Sequence, residues 1–79
     1  MKRNEITNWI AELFNENPEE IASETKREDI MEWDSIGTLN LMAELDQKFG
    51  IVLTNEDLDA LNSVGDLIDL LGKYGKIDD

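Results

Sequence analysis

The chain has 79 residues with neither cysteine nor histidine, which fits one small domain and excludes disulfides, thiolate zinc sites and imidazole ligands. Seven basic residues against nineteen acidic ones give a net charge of -12, so we expect neither nucleic acid nor an anionic membrane among its partners. No stretch approaches the ~18 apolar residues of a membrane span, and the start, MKRNEITNWI, lacks the apolar region of a signal peptide, so we expect a cytoplasmic protein without membrane insertion.

The first predicted element is an amphipathic helix that has Asn4 as its cap and ends before Pro18, which disfavours helix at the preceding residue. Its core face repeats at helical spacing through Ile6, Trp9, Ile10, Leu13 and Phe14. Residues 19–33 then form a long charged connection, with three expected anchors on the core: Ile21, Ile30 and Met31. A connection of that length inside a small domain is uncommon and often functional.

The second predicted helix follows the dipeptide Asp34-Ser35 and ends at Gly50, because glycine is typical of helix C-caps. Its core face follows the i, i+3, i+4, i+7 pattern through Thr38, Leu41, Met42, Leu45 and Phe49. The next residues, IVL, are too few to predict a strand.

Two more helices are predicted from capping patterns. Thr54 with Asp57 three residues later resembles a capping box for a short helix through Leu61. Ser63 with Asp66 repeats this pattern ahead of a last helix, whose core residues are Val64, Leu67, Ile68 and Leu71.

The sequence therefore predicts an all-α fold, a small bundle of three main helices plus one short helix with a long loop between the first two. We expect a single domain over residues 1–79, with an ordered core at about 4–73. Residues 74–79 are polar, and we expect them to form a frayed tail.

Ser35, between Asp34 and the second helix, is the residue that the pattern singles out for chemistry. A Ser-His-Asp triad is excluded because the chain has no histidine, and no motif places a lysine beside Ser35. The five glycines are scattered and no EF-hand spacing occurs, so neither a phosphate cradle nor a metal site is predicted, and catalysis is disfavoured. Two interpretations remain: Asp34 or Ser35 only caps the helix, or Ser35 is a site of covalent attachment.

A second apolar stripe on the same helix favours attachment. Ile36, Leu39 and Ala43 are rotated away from the core face, although a helix in a monomer needs only one buried face. A helix N-terminus also favours an anionic group such as a phosphodiester, through its amides and its dipole. We therefore expect these three residues to be exposed and to contact a partner.

Two stretches carry a resemblance to a known family. DSIGTLNLMAELDQKFGIVL resembles the Asp-Ser-Leu signature, recognition helix and following turn of acyl carrier proteins. TNEDLDALNSVGDLIDLL is similar to that family's short third helix and final helix, so that the resemblance runs from about residue 6 to residue 71.

The resemblance implies that Ser35 carries 4'-phosphopantetheine, delivered from coenzyme A by a separate magnesium-dependent phosphopantetheinyl transferase, and that the thiol of this arm holds an acyl group as a thioester. By the same comparison Asp34 matches the acid before the modified serine, and the stripe matches the family's apolar contact positions. Three acidic residues match positions that meet basic patches on acyl-loading and acyl-transferring enzymes: Asp46, Glu56 and Asp59. Such a protein is a non-catalytic carrier, and we expect a monomer.

Several residues depart from the family pattern. Gly37, Asn40 and Gln47 stand where carriers of fatty acid synthesis usually have acids, and Lys48 adds a positive charge. Trp33 replaces a small residue, either as a core or loop-packing aromatic or as a partner contact. These departures favour a carrier for a specialised pathway, with D-alanyl, aminoacyl and polyketide cargoes all open. The alternative function is an acidic helical adaptor in which Ser35 is only a cap.

Overall fold

Four α-helices form the bundle in the computed structural model, which describes residues 1–78. Helix α1 spans Arg3–Leu13, α2 spans Ser35–Phe49, α3 spans Asn55–Asp59 and α4 spans Val64–Lys73. Two short 3-10 turns, Pro18–Glu20 and Arg27–Asp29, lie in the connection between α1 and α2. The predicted all-α architecture is confirmed. Over the described residues, no helix is both long enough and apolar enough to cross a bilayer.

The N-cap of helix α1 lies two residues before the expected one. Its N-cap is Lys2, whose backbone N–H donates to the Glu5 carboxylate at 2.9 Å. This bond satisfies an amide that the start of a helix leaves without an intrahelical partner, so the prediction of Asn4 as the cap was wrong. Ile6, Ile10 and Phe14 are buried as predicted.

The hydrophobic core contains residues from α1, α2 and α4, from the long loop, and from the segments on either side of α3. Ile21 and Ile30 anchor the loop as expected, but Met31 is 87% exposed, so its prediction as an anchor was wrong. Trp33 fills that role and is buried, its ring stacked on Phe14 with centroids 5.1 Å apart and planes 15° apart. Met31 lies in a turn closed by the hydrogen bond from the Trp33 N–H to Ile30 O at 3.1 Å, and the turn directs the larger aromatic side chain inward.

The α1–α2 loop is fastened to the junction between α3 and α4 by backbone hydrogen bonds. The Arg27 N–H donates to Asn62 O at 2.9 Å, the Val64 N–H to Thr25 O at 2.9 Å and the Gly65 N–H to Ser23 O at 2.7 Å. Because these bonds join main-chain atoms, they fix the course of the loop over the bundle without depending on its side chains.

The ends of α2 and α3 follow the predicted caps. Gly50 adopts φ +67°, a left-handed conformation that glycine reaches without strain, and its N–H donates to Asp46 O at 2.9 Å. Thr54 and Asp57 form the reciprocal capping box, with the Asp57 N–H on Thr54 Oγ1 at 3.1 Å and the Thr54 N–H on Asp57 Oδ2 at 3.2 Å. Helix α3 ends at Asp59, two residues before the predicted end.

Ser63 caps α4 as predicted, accepting the Asp66 N–H at 3.1 Å, but the box is not reciprocal. The Asp66 carboxylate instead accepts the Asn62 N–H at 3.0 Å. The Asp66 carboxylate therefore also holds Asn62, whose carbonyl accepts the hydrogen bond from the Arg27 N–H in the loop.

The C-terminal segment, expected to be a frayed tail, makes contacts with the rest of the bundle through residue 78. The Tyr74 hydroxyl donates to Asp57 Oδ2 at 2.8 Å. The Met1 ammonium donates to Lys76 O at 3.1 Å and to Asp78 Oδ2 at 2.8 Å. The expectation for Asp79 lies outside the described residues. The polar composition of this segment predicted a loose tail, because composition gives no information on hydrogen bonds to distant residues.

Asp57 is the point at which α3 is tied to the end of α4. Its side chain is buried and accepts hydrogen bonds from the Tyr74 hydroxyl, the Thr54 amide and, at 3.2 Å, the Lys73 ammonium. The Tyr74 bond first and the Thr54 amide next lower the pKa of Asp57 from 3.8 to about 2, against the opposing effect of burial. A charged carboxylate is therefore part of the folded structure at neutral pH.

Replacing this carboxylate should destabilise the fold in a pH-dependent way. At pH 7 we expect Asp57→Asn to melt at a lower temperature than the parent protein. Because the pKa is lowered on folding, the contribution of the charge is complete above 3.8 and is lost as the pH falls through about 2. The difference between parent and variant should therefore shrink between these pH values in melts followed by circular dichroism. Asp69→Asn, at an exposed carboxylate of α4, is the matched control; equal effects of the two substitutions at pH 7 would contradict the assignment.

Candidate functional site

Ser35 is the first residue of α2, and its side chain is exposed. The cap of this helix is Asp34, whose Oδ1 accepts the Gly37 N–H at 2.9 Å. No hydrogen bond within residues 1–78 engages the Ser35 hydroxyl. The two roles that the sequence left open therefore fall on different residues, since Asp34 caps the helix and the Ser35 hydroxyl is left available for chemistry.

The first turn of α2 is braced against the loop through Thr38. The Thr38 hydroxyl donates to Asp34 O at 2.8 Å, and the Arg27 guanidinium donates through Nη2 to Thr38 Oγ1 at 3.2 Å. Arg27 also places a cation one helical turn from Ser35, in a chain of net charge -12. The site thus combines a helix N-terminus, which favours negative charge, with a nearby positive side chain.

Gly37 lies where the loop crosses closest to α2. A Cβ atom at this position would overlap the Glu32 carbonyl oxygen and would come within 3.4 Å of the Phe14 ring. An acidic side chain cannot occupy this position while Trp33 stacks on Phe14 and holds the Glu32 backbone in place. Trp33 is thus a core aromatic, the first of the two roles considered for it.

The second apolar stripe is exposed as predicted. Ile36 is 70% exposed, Leu39 is 63% exposed and Ala43 lies on the same open side. Met31 and Val52, on the loops before and after α2, are two further exposed apolar residues that the sequence did not identify as exposed. Periodicity identifies faces of helices, but it gives no signal for single apolar residues in loops.

The predicted acidic contact residues lie on two helices. Asp46 is on α2, Glu56 and Asp59 are on α3, and all three are exposed. Among residues 1–78, no three carboxylates are placed to hold a metal ion together. The acidic side chains are therefore arranged as a charged surface rather than as a coordination site.

The chain matches the family described as phosphopantetheine attachment site over residues 4–71. The chain belongs to this family of acyl carrier proteins. An acyl carrier protein of Wolinella succinogenes is 31% identical over 64 residues, which are 81% of this chain and 84% of that protein. A meromycolate extension acyl carrier protein of Mycobacterium leprae is 32% identical over 73 residues, which are 87% of this chain; the chain spans 64% of that longer relative.

The fold agrees with a solved structure of the same family. The solution structure of a holo acyl carrier protein from Geobacter metallireducens superposes with a TM-score of 0.74 at 31% identity, covering 89% of this chain and 80% of that one. The resemblance expected from the sequence is thus confirmed, and so are the carrier function and the 4'-phosphopantetheine cofactor. Proteins of this family are carriers and not catalysts.

The site fits the group that the family carries. A phosphodiester needs a hydroxyl to attach to and an environment that tolerates its negative charge, and the N-terminus of α2 provides both. When bound, the arm supplies a thiol, which a chain without cysteine cannot supply itself.

The close approach at Gly37 makes a specific prediction about stability. Gly37→Ala should lower the free energy of unfolding by about 1–3 kcal/mol, because the added methyl group forces the Glu32 backbone away from α2. The matched control is Gly72→Ala in α4, where a Cβ would meet Ile77 at an ordinary 3.6 Å and where alanine's helix propensity favours the variant by up to about 1 kcal/mol. Urea denaturation measures both. A Gly37→Ala variant as stable as Gly72→Ala would mean that the loop does not press on α2.

Proposed function

We propose that Ser35 is the residue that carries the 4'-phosphopantetheine arm, and that a separate phosphopantetheinyl transferase attaches it. The observation that carries the proposal is the exposed Ser35 hydroxyl at the first residue of α2, beside a cap already provided by Asp34. In the transfer, the Ser35 oxygen bonds to the pantetheine phosphorus, the pyrophosphate bond of coenzyme A breaks, and adenosine 3',5'-bisphosphate leaves with the electron pair of that bond. The serine proton leaves to a base of the transferase, since this chain has no histidine to accept it.

Other serines are less suited to attachment. Ser63 accepts the Asp66 N–H as the cap of α4 and is only half-exposed. Ser23 is exposed, but its carbonyl is fastened to Gly65 in the loop and its hydroxyl donates to Glu24 at 3.3 Å. Ser35 combines an exposed hydroxyl with the start of a long helix, where a phosphodiester is stabilised by amides and by the helix dipole.

The stripe of Ile36, Leu39 and Ala43 is proposed as the surface that docks the transferase and the enzymes that load or remove the acyl group. It begins one residue after Ser35, so an enzyme seated on it has its active site near the arm. The exposed acids Asp46, Glu56 and Asp59 border this surface in our proposal and favour basic patches on the partner. A net charge of -12 speeds the encounter with such patches by long-range attraction.

We infer that the carrier serves a dedicated pathway rather than central fatty acid synthesis. Asn40, Gln47 and Lys48 are exposed on α2, where fatty-acid carriers usually present acids. A partner that recognises those acids meets two amides and a cation instead, so a different set of enzymes is favoured.

The attachment residue is tested by intact mass. After incubation with coenzyme A, magnesium and a phosphopantetheinyl transferase, the parent protein should gain the mass of one phosphopantetheine, whereas Ser35→Ala should gain none. The matched control is Ser23→Ala, which removes another exposed serine and should be modified like the parent. A mass gain in Ser35→Ala would place the arm on a different residue.

The docking surface is tested by comparing two leucines of α2. Leu39 is 63% exposed and Leu45 is fully buried, so Leu39→Ala should leave the melting temperature nearly unchanged while Leu45→Ala costs about 2–5 kcal/mol of stability. The rate of modification of Leu39→Ala at limiting concentration should fall by roughly tenfold, as expected for a central apolar contact worth about 1–2 kcal/mol. A folded Leu39→Ala protein modified at the parent rate would remove Leu39 from the docking surface.

A further inference from the structure

A groove runs between α1 and α2 from the neighbours of Ser35 toward the far end of α2. Its near part, about 150 Å³, is lined by Leu13, Glu32, Asp34, Ile36, Gly37 and Asn40. Its far part, about 440 Å³, is lined among others by Trp9, Glu12, Leu13, Asn40, Glu44 and Gln47. The two parts share Leu13 and Asn40, so they form one path, here called the α1–α2 groove. The path begins beside Ser35, because Asp34 and Ile36 are the residues on either side of it.

The α1–α2 groove is amphipathic. Four carboxylates and no basic residue are among the side chains that line it, so it disfavours an anionic ligand. Trp9 and Leu13 contribute apolar surface from α1. Asn40 and Gln47 contribute two carboxamides from α2, and both stand where the family pattern has acids. A carboxamide both donates and accepts hydrogen bonds, whereas a carboxylate only accepts them. The groove therefore suits an uncharged ligand that has amides and apolar groups along a narrow chain.

The pantetheine arm has that chemistry. It contains two amides and a hydroxyl for polar contacts, and a pair of methyl groups on one carbon for apolar ones. The two carboxamides of the groove can each pair with an amide of the arm. The methyl groups, which precede the first amide, can lie on Leu13, and the methylene groups next to the thiol can lie on Trp9. The volume of the far part, about 440 Å³, is in the range of ordinary ligand sites.

The length of the arm also matches the groove. At the rise of about 1.5 Å per residue, Asn40 lies roughly 7.5 Å and Gln47 roughly 18 Å beyond Ser35 along the axis of α2. An extended chain advances about 1.2 Å per bond, so the arm of about fourteen bonds from the serine oxygen to the sulfur spans roughly 17 Å. The first amide then reaches the level of Asn40, and the second comes within the length of the Gln47 side chain.

We propose that the pantetheine arm of the holo protein rests in the α1–α2 groove, with its amides hydrogen-bonded to Asn40 and Gln47. The inference rests on the proposed attachment to Ser35 and deepens it by assigning a binding site to the arm. The amides at positions 40 and 47, where the family pattern has acids, then have one physical explanation, because both side chains bind the same ligand. A carboxylate at position 40 would lose the donor and would stand close to the phosphodiester of the arm.

The test is NMR of the protein carrying a ¹³C-labelled pantetheine arm, compared with the apo protein. Intact mass first establishes that one arm has been added, and the lack of any mass gain in Ser35→Ala assigns it to Ser35. We then expect nuclear Overhauser contacts from the arm methyl groups to Leu13 and from the methylene groups next to the thiol to Trp9, together with amide shift changes that follow the groove. Asn40→Asp and Gln47→Glu should each lower the ratio of bound to free arm by about fivefold, as the loss of one net hydrogen bond predicts.

The matched control is Asn55→Asp, which makes the same change at an exposed residue of α3 outside the groove and should leave the contacts intact. Contacts of the arm with Met42 or Val52 on the other side of α2, or an arm without contacts, would overturn the groove proposal while leaving the attachment in place. A protein that gains no mass overturns both proposals. Equal contacts in the parent, Asn40→Asp and Gln47→Glu would remove the two amides from the arm's binding site.

Discussion

The stacking of Trp33 on Phe14 determines where the reactive end of α2 meets the surface. It draws the end of the long loop against α1, places the Glu32 carbonyl over Gly37, and leaves Asp34 in position to cap the helix. The indole Nε1 is buried without a hydrogen-bond partner in the described chain, which costs about 1–3 kcal/mol. Burying roughly 200 Å² of aromatic surface returns about 5 kcal/mol, so the stack is favourable despite the unpaired donor.

Much of this fold could be predicted from the sequence, because the signals concerned are local. The core faces of α2 and α4 follow from periodicity. Gly50, Thr54 and Ser63 are predicted as helix caps from their residue type and spacing. The exposed position of Ile36 and Leu39 follows from the same reasoning, since one helix showed two apolar stripes. The family resemblance added the prosthetic group, which no periodicity contains.

The features that the sequence could not predict depend on contacts between distant parts of the chain. Met31 and Trp33 are two residues apart around a turn, and the position of Phe14 decides which of them is buried. The hydrogen bond from Tyr74 to Asp57 joins the C-terminal segment to α3. The sequence shows only that this segment is polar, so it does not predict the bond. The exposure of Val52 and the crowding at Gly37 likewise depend on where the loops run, which local patterns do not specify.

The hydrogen bonds that hold the α1–α2 loop bear on how carriers of this kind can diverge. Residues 23–27 are fastened to residues 62–65 through main-chain atoms, so most side chains of the loop can be exchanged without moving it. Mutations there can accumulate under selection for new enzymes while the geometry around Ser35 is preserved. Changes in partner choice can therefore evolve largely without loss of the fold. A library randomised at the exposed residues of this loop would contain variants that differ in partner specificity and still fold.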